Sequence, residues 1–143
     1  MATRDLMNDI HTVVALAPQV ATDGTALKTA AIDTKGYESV TFVILTGTLA
    51  DSDATWLVTL KEGSTSTQTA HTAVADADII GTEALAGFIF SDDGATRKIG
   101  YKGSERYVSL EIDDDTANSG NAPVAVLAIL GHPHSRPTAN PPA

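Results

Sequence analysis

The chain has 143 residues, 43% of them hydrophobic and only 5% aromatic, with a mean hydropathy of +0.02. Eighteen acids against nine Lys and Arg leave a net charge of −9, which repels phosphate backbones and argues against nucleic acid as a partner. No apolar run approaches the roughly 18–20 residues that span a bilayer, the acidic first ten residues are unlike a secretory signal, and the lack of cysteine excludes disulfides and thiolate ligands, so folding in a cytosol is expected.

Residues 1–10 read as an N-terminal arm, with Leu6 and Ile10 one helical turn apart. Residues 11–17 read as a strand stopped by Pro18, which cannot continue a ladder. A turn around Gly24 precedes a weaker strand at 27–32. Residues 38–46 form the first strong strand, with Val40, Phe42 and Ile44 on one face. A polar loop at 47–54 leads to a second strong strand at 55–61, with Trp56, Val58 and Leu60 on one face, expected to pair antiparallel with the first. The small polar residues of 63–69 predict an exposed loop, and 74–80 alternates Ala with Asp without a clear assignment. Residues 85–90 read as a short apolar strand ending in an Asp-Gly hairpin turn at 91–94. A strand at 97–101 and a turn at 102–105 follow. The clearest alternation is at 106–112, where Val108, Leu110 and Ile112 oppose Tyr107, Ser109 and Glu111. After an acidic loop at 113–121, residues 123–130 are apolar at every position, as in a central strand covered on both sides. The tail 132–143 holds four of the six prolines and should be extended.

Short strands spaced by turn signals predict an all-β fold: one antiparallel β-sandwich or barrel-like, jelly-roll-like domain over 11–131 with extended termini. The expected core is Val40, Phe42, Ile44, Trp56, Val58, Val108, Leu110, Val126 and Leu127.

No catalytic centre stands out. His71 with Asp76 and Asp78 could form an acid/base group, but alternate aspartates are what the wet side of an edge segment carries. There is no G-x-S-x-G elbow, P-loop or G-x-G-x-x-G. His132 and His134, at i and i+2 on an extended chain, would point the same way, yet no carboxylate lies near them in sequence. The 113–121 loop is rich in oxygen ligands but lacks the spacing and closing Glu of an EF-hand. Neither a metal nor a cofactor is expected. Arg97, Lys98, Lys102 and Arg106 gather four of the nine basic residues into ten positions, a docking patch if they lie together. With Leu6, Ile10, His132, His134 and Arg136 at the ends, they form the candidate partner-contact set.

Several segments resemble a family of small head proteins of tailed bacteriophages and prophages, of the capsid decoration (cement) type. They are DIHTVVALAP at 9–18, TAVADAD at 72–78, IGYKG at 99–103 with Arg106 and Tyr107, and LGHPH at 130–134. The loops at 47–54 and 113–121 match nothing in that pattern. The resemblance implies a non-enzymatic virion protein that binds the major capsid protein on the outer capsid surface and stabilises the shell. It is made in the host bacterial cytoplasm and acts as a homo-oligomer. A trimer suits the local symmetry of an icosahedral lattice, and arms that order on a partner suit repeated attachment. Two other classes share the composition: a head–tail connector or tail protein, and an adhesion sandwich binding a glycan or ion through Trp56, Tyr37 or the 113–121 loop.

Overall fold

The computed structural model describes residues 2–22, 24–50, 52–115 and 122–142. Two antiparallel sheets pack face to face as a sandwich. The elements are β1 (Ile10–Ala21), β2 (Leu27–Lys28), β3 (Ile32–Asp33), β4 (Tyr37–Thr46), β5 (Thr55–Gly63), β6 (Thr72–Ala73), β7 (Ile79–Ile80), α1 (Glu83–Ala86), β8 (Phe88–Ile89), β9 (Thr96–Tyr101), β10 (Tyr107–Asp114) and β11 (Ala122–Pro133). Sheet A has the order β1-β11-β4-β9-β7. Sheet B has the order β2-β10-β5-β6, with β3 also on β10 and β8 on β5.

The period-2 strands carry the core. Val40, Phe42 and Ile44 of β4, Trp56, Val58 and Leu60 of β5, and Val108, Leu110 and Ile112 of β10 are all buried, and Trp56 stacks on Phe88 at 6.2 Å between ring centroids. Where the chain departs from simple alternation, the expectations fail for identifiable reasons. β4 and β5 are not partners. β4 lies between β11 and β9, β5 pairs β10, and the loop between them crosses from one sheet to the other. Nor do residues 91–94 close a hairpin, since β8 pairs β5 while β9 pairs β4. Residues 83–86 are a helical turn, not strand, because the Thr82 hydroxyl caps it by accepting the Leu85 N–H at 3.1 Å. β1 runs through Pro18, an edge position where the register shifts between Leu16 and Gln19.

The last correction concerns β11. It is central in sheet A, as its composition implies, but only one of its faces is covered. Val124, Val126, Ala128 and Leu130 are buried, while Pro123, Ala125, Leu127 and Ile129 are half-buried on the outside. Leu127 therefore leaves the predicted core.

Candidate interaction surface

Strand register places the outward side chains of sheet A in rows. One row runs Val14–Leu127–Val43–Lys98, a second Thr12–Ile129–Thr41–Gly100–Ile80, and a third Ala125–Leu45–Thr96. Lys98 is the only charged side chain in these rows. Val14, Leu45 and Ile80 are exposed, Val14 to 62%. A shallow apolar groove of about 400 Å³ closes one end of this face, between Pro18 and Val20 of β1, Leu45 of β4 and Pro123 of β11.

At the other end lie the two termini. The Arg136 guanidinium reaches Asp9 at 2.9 Å, the Thr138 N–H donates to the Asn8 carbonyl at 3.1 Å, and its hydroxyl donates to the Ile10 carbonyl at 2.5 Å. A short 3-10 turn at Met7–Asp9 orders the arm. Leu6, Met7, Ile10 and Thr12 then line a second shallow groove with Ala139 and Pro142, leaving Leu6 and Met7 exposed. The arm and tail, expected to be extended segments ordered by a partner, bond to each other and continue the outer face of sheet A.

The outer face of sheet B has the opposite character. Lys28, Thr59, Lys61, Asp33, Tyr107, Glu111 and Asp113 point outward there, with Glu111 bridging Lys61 at 2.6 Å and Lys28 at 3.7 Å, and Leu57 and Ile89 stand exposed among them as large apolar side chains. Ser109 is outward by register yet fully buried, because the loop after β5 folds over it. His71 Nδ1 lies 2.8 Å from the Ser109 hydroxyl and Nε2 lies 2.9 Å from the Thr65 carbonyl. A carbonyl only accepts, so Nε2 carries the proton and Nδ1 accepts from Ser109. A Cβ at Gly63 would sit 2.6 Å from the His71 ring, so glycine is what admits the imidazole. His71 thus anchors a loop, and no hydrogen bond joins it to Asp76 or Asp78.

The basic residues at 97–106 do not form one patch. Arg97 pairs Asp92 at 2.7 Å, and Arg106 grips both oxygens of Asp33 at 2.9 and 2.6 Å while lying over Tyr107. Arg106 holds the Asp33 carboxyl below the usual carboxylate range, chiefly by its hydrogen bond. Asp92 is lowered first by the Ile89 N–H and then by Arg97. Lys98 stands alone on the sheet A face, and Lys102 is exposed on the turn after β9.

His132 and His134 diverge. His132 adopts a left-handed φ of 51°, which breaks strand alternation, and its Nδ1 lies 3.0 Å from the Ser39 hydroxyl. His134 instead meets Glu38, a carboxylate distant in sequence that the fold brings alongside. Among the described residues no three His, Asp or Glu gather as a metal-binding group. The 113–121 loop lies outside the described residues from 116 onward. Its start, Asp113 and Asp114, extends β10. Trp56 is in the core, and Tyr37 stacks on His11 at 5.6 Å, so neither ring is presented as a sugar platform.

Of the segments that carry the family resemblance, 99–103 is packed into the fold. Tyr101 is buried, donates to Glu62 and accepts the Glu105 N–H at 2.9 Å, and burial together with Glu62 pushes its pKa up. A Cβ at Gly103 would sit 2.4 Å from the Tyr101 hydroxyl and 2.5 Å from its ring. No helix among the described residues is long and apolar enough to cross a membrane.

No family model matches the chain, and no curated protein matches it. Among solved structures it is similar to one titled "Structure of infectious bursal disease virus Gx strain", at 14% identity and a TM-score of 0.43, covering 90% of this chain and 35% of that one. It is also similar to a family two carbohydrate esterase from Cellvibrio japonicus, at 13% identity and a TM-score of 0.33, covering 91% of this chain and 36% of the other. The chain thus spans about a third of each, and likenesses this distant carry no argument about function.

Proposed function

We propose that this chain is a non-enzymatic structural protein of a tailed-phage particle, a decoration protein that binds the major capsid protein at the outer capsid surface and stabilises the shell. The observation that carries the reading is the difference between the two outer faces of the sandwich. Sheet B presents mainly charged and hydrogen-bonding side chains to water, with Leu57 and Ile89 set among them. Sheet A presents valine, leucine and isoleucine without a carboxylate, in a chain of net charge −9. Exposed apolar surface of this kind is stabilised by protein contact, at about 25 cal/mol per Å² removed from water. The resemblance of segments 9–18, 72–78, 99–103 and 130–134 to cement-type head proteins directs the protein so assembled to a virion. Attachment rests on surface complementarity multiplied over a lattice, with the exposed side chains of His134 and Arg136 beside the paired termini as the shell-facing contacts.

The test is co-sedimentation with undecorated capsids, followed by reconstruction of the particle. Density for the sandwich on the outer shell supports the reading. A chain that stays in the supernatant and adds no density overturns it.

A further inference from the structure

We infer that the outer face of sheet A is the contact between two copies of this chain, related by a two-fold axis that runs β1 antiparallel to β1 of its partner. The inference stands on the face itself and holds whether or not the chain binds capsids.

Two features at opposite ends of β1 complement each other. At its start, Leu6 and Met7 project as apolar knobs, 65% and 61% exposed. At its end, Pro18, Val20, Leu45 and Pro123 form a shallow apolar groove. An isologous contact requires that whatever residue i meets, the partner's i meets in return. An axis near Val14 seats the knobs of each copy in the groove of the other and lays Val14, Leu127 and Val43 across the middle.

Charge favours the same occupant. Copies of a chain with net charge −9 repel one another over most of their surfaces, but the rows of this face hold no carboxylate and only Lys98, and of the two aspartates in the arm Asp9 is paired with Arg136 and Asp5 is bonded to Asn8. The area suffices as well. β1 is bulged, so Ile10 to Val20 matches the stretch of β11 from Gly131 to Pro123, about 27 Å, and with four strands spanning about 19 Å each copy offers about 500 Å². The pair then buries about 1,000 Å², the floor for a specific interface, so a weak association with a Kd in the micromolar range is expected. The geometry points to a pair, where icosahedral symmetry by itself suggests a trimer.

The test is the solution mass of the purified full chain by sedimentation equilibrium, without capsids, at concentrations up to ~100 µM, well above a micromolar Kd. A mass of twice the 14.8 kDa protomer is expected. Val14→Glu places one carboxylate from each copy at the axis and should weaken the pair at least ~10-fold, while Leu85→Glu, exposed on α1, should leave it unchanged. Circular dichroism checks that both variants fold. Because the chain lacks cysteine, Met7→Cys with Val20→Cys should oxidise to a covalent dimer, whereas Met7→Cys alone should not. A monomer throughout, a trimer, a dimer indifferent to Val14→Glu, or cross-linking by Met7→Cys alone would each overturn the inference.

Discussion

At Ser109 the hydroxyl is buried at an outward strand position only because His71 covers it. Ser109→Ala removes the donor to His71 Nδ1 and strands a buried acceptor, which should cost about 1–3 kcal/mol in urea unfolding. Two leucines distinguish the sides of sheets A and B. Leu110 is fully buried, so Leu110→Ala should cost about 2–5 kcal/mol. Leu127 points outward, so Leu127→Ala should cost the protomer about 1 kcal/mol or less. Equal losses at both positions would mean that the inward face is misassigned. Asp33 and Asp92 have folded pKa values below the ordinary carboxylate range, which sets the sign of their pH effect. Their stabilisation is present above about pH 4 and is lost as pH falls through the lowered values. Asp92→Asn should therefore flatten the acid side of a stability–pH curve, and an unchanged slope would show that Arg97 and the Ile89 N–H contribute nothing.

Elements show where local preference yields to context. Residues 85–90 look like strand by hydrophobicity, yet the Thr82 cap turns 83–86 into helix. Pro18 looks like a stop, yet an edge strand tolerates it where the ladder is already irregular. The ends behave as one element. Thr138 and Arg136 bond to Ile10, Asn8 and Asp9 across the whole sequence, so the tail should protect the arm. Removing residues 135–143 should speed hydrogen exchange at Asp9 while β11 stays protected. Unaltered exchange there would show that the two ends are independent.

For the whole molecule, what matters is that a sandwich has two outer faces and this one treats them differently. The more apolar face is the one proposed for assembly, and the other is mainly charged and hydrogen-bonding. Folding should need no metal, since His132 and His134 turn to different partners, Ser39 and Glu38. Excess chelator should leave the melting temperature unchanged, and a drop of several degrees would expose an ion site.

Composition and period-2 alternation in the sequence were enough to determine an all-β antiparallel fold, sandwich or barrel-like, most of its core and the side each strong strand turns inward, because these depend on local spacing and the burial of apolar side chains. That two open sheets pack rather than one closing was decided by the tertiary structure. Which strands pair depended on the tertiary structure, since loops such as 47–54 carry no mark of whether they turn within a sheet or cross between sheets. The continuous apolar run of β11 suits a strand covered twice or once, and only the packed fold shows that its outer face is open. The same holds for the termini. Their bonds join residues more than 120 positions apart, so the composite surface they share with sheet A exists only once the chain has closed on itself.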